Sequence, residues 1–104
     1  MNLALDYDDT YTRDKIFWDC FIGLAQSRGH KVYCITARSE RHKDEVLDDL
    51  SVLLGDDAIL FTAGAAKRSY AYSKGIDISV WIDDDPTMIT TGIKIDSAHT
   101  GLWE

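Results

Sequence analysis

The sequence lacks any long apolar run, so no segment is predicted to cross a membrane, which takes about 20 consecutive apolar residues. Its first residues also lack the basic and apolar regions of a secretory signal peptide. Together these absences favour a cytoplasmic protein that does not act at a membrane.

The sequence also lacks linkers, low-complexity stretches and internal repeats. Its 104 residues are enough for one hydrophobic core and leave little room for a second. An apolar content of 45% and a charged content of 28% are ordinary for a globular protein and argue against disorder. We therefore expect a single domain covering residues 1–104.

Cysteine and histidine are scarce. Cys20 and Cys34 lie within apolar stretches and share no metal-ligand spacing, so we expect both to be buried free thiols. The three histidines are scattered along the chain and form no ligand set.

Positive charge is in deficit, and the formal net charge of −7 disfavours nonspecific attraction to a polynucleotide backbone. Aspartate strongly outnumbers glutamate, since 15 of the 18 acidic residues are aspartate and only three are glutamate. Glutamate suits solvated helix faces, whereas aspartate favours turns, caps and metal sites. The aspartates cluster at positions 6, 8 and 9 and again at positions 83–85.

Strand-like and helix-like segments alternate along the chain. Apolar runs predict strands at 3–5, 31–36, 58–62 and 78–83, with a last strand near 93–95. Helical spacing predicts helices at 13–28, from a cap at Ser39 to Leu54, at 65–74 and at 87–91. This alternation predicts an α/β fold, a three-layer sandwich with a mostly parallel, Rossmann-like five-stranded sheet.

The first predicted helix is apolar over an unusually wide arc. One set of its apolar residues recurs at helical spacing, namely Ile16, Phe17, Cys20, Phe21 and Leu24. Trp18 and Ile22 widen this face, either as further core residues or as a contact surface, and we favour the core interpretation.

Polar side chains follow four of the predicted elements at the carboxyl ends of the strands, where α/β folds bind ligands. Asp6 and Asp8 end strand one, Thr36 ends strand two, and Asp83 and Asp84 end strand four. Lys67 opens the helix after strand three. Carboxylates gathered at one edge repel one another unless a cation is present, and Mg²⁺ is the natural cation for hard oxygen ligands.

This combination permits phosphoryl transfer. One aspartate can attack phosphorus and form an aspartyl-phosphate, and a second, two residues along, can act as acid and then as base. A lysine and a threonine hydroxyl can stabilise the charge on the transferring group.

Four segments resemble the motifs of the haloacid-dehalogenase (HAD) superfamily. Leu5-Asp-Tyr-Asp-Asp-Thr10 is similar to its first motif, Asp-x-Asp-x-Thr. Ile35-Thr36 is similar to the second, Lys67 to the third, and Val80-Trp-Ile-Asp-Asp84 to the fourth in its paired-acid form. The motifs occur in the family's order and span positions 3 to 85.

The resemblance implies a magnesium-dependent phosphatase of the minimal, capless type. It implies Asp6, Asp8, Thr36 and Lys67 as catalytic residues and Asp6, Asp8, Asp83 and Asp84 as metal ligands, with Asp8 acting through its backbone carbonyl. Substrate contacts would come from Thr10, Thr36, Arg38 and Lys67. The substrate would be a phosphorylated small molecule, a nucleotide or the phosphorylated end of a nucleic acid, and the oligomeric state stays open.

Several alternatives remain at this point. Asp8 and Asp9 could be ordinary turn and cap residues, and Arg38 could be a surface residue. Lys74 or Arg68 could take the lysine role. The residues beside the nucleophile, Tyr7, Tyr11 and Arg13, could shape substrate choice.

Two other functions compete with a phosphatase. A catalytically silent binding protein stays open. A signalling receiver is disfavoured, because receivers place the acceptor aspartate at strand three, which here ends in Phe61-Thr62-Ala63.

Overall fold

The computed structural model describes residues 1–92 and shows an α/β fold. The strands are β1 (Asn2–Leu5), β2 (Lys31–Thr36), β3 (Ile59–Phe61) and β4 (Val80–Ile82). The helices are α1 (Lys15–Ser27), α2 (Asp44–Leu54), α3 (Lys67–Ser73) and α4 (Thr87–Thr90). The strand predicted near 93–95 lies outside the described residues.

The described strands form one parallel sheet in the order β3-β2-β1-β4. Leu5 of β1 lies in register with Cys34 of β2 on one side and with Ile82 of β4 on the other. The predictions of an α/β fold and a parallel sheet are therefore confirmed, with four strands among residues 1–92.

Two hydrophobic clusters follow from the alternation of side chains along β1. Leu3 and Leu5 belong to the larger cluster, together with Ile22 of α1 and Leu50 of α2. The residue between them, Ala4, belongs to a second cluster, which also contains Tyr33, Ile35, Ala71 and Ile78.

The orientation of α1 differs from the prediction. Phe17 and Leu24 are 56% and 65% exposed, and Ile16 and Cys20 are exposed as well. The face directed to the core consists instead of Trp18, Phe21, Ile22 and Ala25. Both arcs of α1 are apolar, so helical spacing alone did not determine which one is buried.

Three expectations about single residues are thereby decided. The core interpretation of Trp18 and Ile22 is confirmed, since Ile22 is fully buried and Trp18 packs against the cluster. Cys34 is buried as expected, but the expectation for Cys20 is wrong because it lies on the exposed arc of α1.

The predicted Ser39 cap of the second helix is also wrong. Ser39 precedes a separate 3₁₀ turn, Glu40–His42, and makes no capping hydrogen bond. The guanidinium of Arg38 donates to the carbonyl oxygen of His42 at 3.0 Å, which stabilises this extra turn. The α-helix therefore begins later, at Asp44.

Within residues 1–92, none of the helices is both long enough and apolar enough to span a bilayer.

Candidate active site

The site lies where the direction of strand addition reverses. The chain adds β2 and then β3 on one side of β1 and returns to place β4 on the other side. A reversal of this kind leaves a crevice at the carboxyl ends of the two flanking strands. Asp6 follows β1, and its backbone N–H donates to the carbonyl oxygen of Ile82 at 2.9 Å. The carboxylates that follow β1 and β4 are thereby brought together.

Three carboxylates share this crevice. One oxygen from each of Asp6, Asp83 and Asp84 lies within 4.8 Å of the others. Lys67 lies between two of them, with its Nζ 2.8 Å from Oδ1 of Asp6 and 2.5 Å from Oδ2 of Asp83. The ammonium group is buried, since the lysine is only 2% exposed. The structure thus brings together four of the predicted site residues.

Lys67, rather than the other two basic candidates, contacts the carboxylates. Arg68 lines a separate cavity beneath α3. Lys74 follows the last residue of α3, and its Nζ lies 5.5 Å from the centre of the Tyr70 ring. The position of Lys67 in the first turn of α3 directs it towards β1 and β4.

Thr10 joins the two acidic loops. Its Oγ1 lies 3.3 Å from Oδ2 of Asp6 and 3.2 Å from Oδ1 of Asp84, and it accepts a hydrogen bond from the Asp84 backbone N–H at 3.2 Å. Thr10 therefore fixes the position of Asp84 relative to Asp6, and its contact with substrate stays a prediction.

Burial governs the electrostatics of the crevice. Burial raises the pKa of Asp6 to about 7, and the adjacent ammonium group of Lys67 only partly opposes this rise. The hydrogen-bonding contact with Asp6 lowers the pKa of Asp84. Burial would lower the pKa of Lys67, but Asp6 and Asp83 raise it overall. Below about pH 7, Asp6 therefore holds a proton while Lys67 remains charged.

The donor set suits a hard divalent cation. Mg²⁺ takes carboxylate oxygens, keeps several waters and completes its shell with phosphate oxygens. Lys67 contacts one oxygen of Asp6 and one of Asp83, which leaves Oδ2 of Asp6 and the carboxylate of Asp84 facing the same crevice. These residues fit a magnesium ion.

Thr36 lies at the end of β2, next to the carboxyl end of β1. It is buried, and its Oγ1 accepts a hydrogen bond from the backbone N–H of Arg38 at 3.2 Å. A hydroxyl group that accepts one hydrogen bond still has its own proton to donate. The loop after β2 is held in turn by the loop after β3, because the N–H of Thr62 donates to the carbonyl oxygen of Thr36 at 2.9 Å.

Arg38 binds the carboxylate of Asp8. Its Nε and Nη2 donate to the two oxygens of Asp8 at 2.9 and 2.8 Å, and its guanidinium lies over the Tyr7 ring, 5.0 Å from its centre. Arg38 is 8% exposed, so the interpretation of it as a surface residue is wrong. The sequence carried no indication of this pair, since only the adjacency of β1 and β2 brings the two residues together.

Asp8 lies in the turn formed by residues 7–10, and its side chain also makes this bidentate contact with Arg38. Its carboxylate does not belong to the group formed by Asp6, Asp83 and Asp84.

Tyr7 and Tyr11 support the loop after β1 from within the core. Both are fully buried, and their rings stack with centres 5.6 Å apart. The hydroxyl of Tyr7 donates to Asp49 at 2.5 Å, and that of Tyr11 donates to Asp19 at 2.7 Å. Neither tyrosine lines the cleft, since both side chains are buried in the protein, and their effect on substrate choice stays a prediction.

The cleft above the carboxylates has a volume of about 180 Å³. Its lining consists of Asp6, Asp8, Asp9, Ala37, Lys67, Asp83, Asp84, Asp85 and Met88. Met88 and Ala37 were not predicted, because neither carries a reactive group that a sequence pattern would single out.

Comparisons with known proteins were made at three levels. No family model, no curated protein and no solved structure matches this chain. The residues of the cleft are therefore the basis on which a function can be argued.

Proposed function

We propose that this chain is a magnesium-dependent phosphohydrolase of the HAD type, which cleaves a phosphomonoester through an aspartyl-phosphate intermediate. One observation carries the proposal. A buried aspartate, Asp6, lies 2.8 Å from a buried lysine and within 4.8 Å of two further carboxylates, at the reversal point of a parallel sheet. Acids that are simply solvated at a surface need neither burial nor a buried lysine. Attack on an anionic phosphate needs both a carboxylate nucleophile and positive charge beside it.

In the first step, a carboxylate oxygen of Asp6 attacks phosphorus. A bond forms between this oxygen and phosphorus, the ester P–O bond breaks, and the leaving oxygen takes the proton of Asp8. Asp8 acts here in its carboxylic-acid form, which requires it to leave the bidentate contact with Arg38. Lys67 stabilises the charge that develops on the phosphoryl oxygens, since its ammonium group lies against the nucleophile. The hydroxyl of Thr36 donates to another phosphoryl oxygen.

In the second step, Asp8 accepts a proton from water as that water attacks the aspartyl-phosphate. The bond between Asp6 and phosphorus breaks, inorganic phosphate leaves, and both aspartates return to their initial states. Arg38 holds the Asp8 carboxylate by both oxygens and so restricts its side chain to one orientation.

A magnesium ion held by Asp6, Asp83 and Asp84, with the Asp8 carbonyl, would supply positive charge that keeps Asp6 ionised and neutralises phosphate. We also propose that the full architecture is a three-layer, Rossmann-like sandwich with five strands and no cap domain.

The strand order supports a phosphatase over a receiver. Receivers have the order 2-1-3-4-5, in which β1 pairs with β3. Here β1 pairs with β2 and β4, and β3 pairs with β2. A catalytically silent protein remains the other candidate. The buried pair of Lys67 and Asp6 counts against it, because a buried ion pair contributes little net stability and would need another reason to be kept.

We propose a cytoplasmic location and a small phosphomonoester, such as a nucleotide, as the substrate. The net charge of −7 and a cleft of about 180 Å³ that six aspartates line favour a substrate carrying one phosphate over a long polyanion. A single phosphorylated nucleic-acid end is the second substrate to test.

The test is a phosphate-release screen of phosphomonoesters, including nucleotides and 3′- and 5′-phosphorylated oligonucleotides, with Mg²⁺ or with EDTA. We expect Mg²⁺-dependent release that Asp6→Asn abolishes. Asp48→Asn is the matched control, because Asp48 is exposed on α2 and does not line the cleft. Undiminished activity of Asp6→Asn would exclude the proposed nucleophile. Failure of the wild-type protein to bind beryllofluoride with Mg²⁺ would favour the silent protein.

A further inference from the structure

The outward arc of α1 presents an apolar stripe to solvent. Ile16, Phe17 and Leu24 are 79%, 56% and 65% exposed, and Cys20 is exposed between them. Residues 16, 20 and 24 are four apart, so they form one continuous ridge along the helix. No charged side chain interrupts this ridge.

The same arc contains a glycine that the single chain does not need. Gly23 lies in the middle of α1, where glycine is less favourable than alanine. A Cβ atom built at Gly23 would meet nothing within 4 Å among residues 1–92, so no neighbour in this part of the chain requires its absence. A helix from outside the chain, packed closely across this point, would require it.

A shallow apolar groove extends the stripe beside α1. Its lining includes Met1, Phe21, Leu24, Val80 and Ile82. Helix α1 has 13 residues and a length of roughly 20 Å, so its ridge alone would supply only a few hundred Å². A standard interface buries about 800 Å² per partner, and the ridge and the groove together supply less than this, which fits a weak dimer.

We propose that this face binds a second copy of the chain, with the two α1 helices crossing antiparallel about Cys20. A two-fold axis there places Ile16 of each copy opposite Leu24 of the other. It also brings Asp14, at the start of α1, near Arg28 of the second copy, just beyond the end of the helix. This pairing is complementary in charge, and the uncharged ridge lets two chains of net charge −7 meet without close repulsion.

The small residues at the crossing allow close contact. Cys20 and Gly23 would let the helix axes approach to about 8 Å, which brings the two Cys20 Cα atoms within the range that a disulfide spans. Cys34 is fully buried, so Cys20 is the thiol available for such a crosslink in the folded protein.

The test is sedimentation velocity of the full chain over a range of concentrations. We expect a weak dimer whose dissociation constant rises at least about tenfold in Phe17→Asp and in Gly23→Leu. Val52→Asp is the control, since Val52 is 94% exposed on α2 and lies outside the stripe. Gly23→Leu is chosen because it is not expected to disturb folding: a Cβ atom there meets no neighbour within residues 1–92, and leucine improves helix propensity.

Crosslinking provides a second measurement. With oxidised glutathione, which takes up the two electrons and two protons of the thiol pair, we expect a Cys20–Cys20 dimer that Cys20→Ser lacks. A monomer at every concentration would overturn the proposal. This holds whether the stripe is left open or is covered by residues 93–104. A dimer that Phe17→Asp and Gly23→Leu leave unchanged would also overturn it, because another face would then form the contact.

Discussion

Replacing Lys67 with methionine should destabilise the protein strongly, and more so as the pH rises. The ammonium group is buried and contacts Asp6 at 2.8 Å and Asp83 at 2.5 Å. At an effective dielectric constant near 20, one charge pair at 2.8 Å is worth about 6 kcal/mol, and the cost of burying the ions offsets part of this. Removing one partner of a buried pair typically costs about 3–5 kcal/mol, which we expect at pH 8 without Mg²⁺.

The pH dependence follows from Asp6. Its folded pKa is about 7, above its ordinary value of 3.8, so the folded state binds a proton more tightly than the unfolded state. Removal of Lys67 raises this pKa further, and protonation then relieves the unpaired charge. Stability of the variant should therefore recover by up to about 1.4 kcal/mol per pH unit as the pH falls from 8 towards 5.

Urea unfolding at pH 5, 6, 7 and 8 in EDTA would measure these free energies. Lys74→Met is the matched control, since Lys74 directly follows the same helix and is exposed. This variant should change the free energy of unfolding by less than about 0.5 kcal/mol. A loss below about 1 kcal/mol for Lys67→Met, or a loss that does not change with pH, would refute the argument.

Three further outcomes are expected. Tyr7→Phe removes the 2.5 Å hydrogen bond to Asp49 and should lower the free energy of unfolding by about 1–2 kcal/mol while leaving KM unchanged. Urea unfolding measures the first quantity and steady-state kinetics the second. Mg²⁺ affinity, followed by calorimetry, should weaken about tenfold from pH 8 to pH 6 because the Asp6 proton must leave, and constant affinity would contradict this. Arg38→Lys loses the bidentate contact with Asp8 and should reduce kcat at least about tenfold, whereas an unchanged kcat would exclude a positioning role.

Much of the fold could be predicted because its causes are local. Apolar runs ending in polar residues identified all four described strands, and Gly29, Gly55 and Gly75 marked the ends of three helices. The edge at which Asp6 and Asp84 meet followed from a general property of parallel sheets. The roles of these residues remain predictions, since geometry alone does not measure catalysis.

The remaining features depend on contacts between distant segments. The exposed arc of α1 could not be assigned from its sequence, because both arcs are apolar and only packing against β1 selects Ile22 over Phe17. The pair of Arg38 and Asp8 likewise joins residues 30 positions apart. The burial of Tyr7 and Tyr11 was not predicted either, because proximity to Asp6 in sequence says nothing about the direction of a side chain.

The proposed role of Asp6 is to carry the phosphoryl group during turnover. Its most direct test is mass spectrometry of protein that has been mixed with Mg²⁺ and a reactive phosphomonoester and quenched in acid. We expect a phosphorylated peptide with the modification on Asp6, in greater amount in Asp8→Asn because the base for the second step is missing. Phosphate release without any phosphorylation of Asp6 would contradict it.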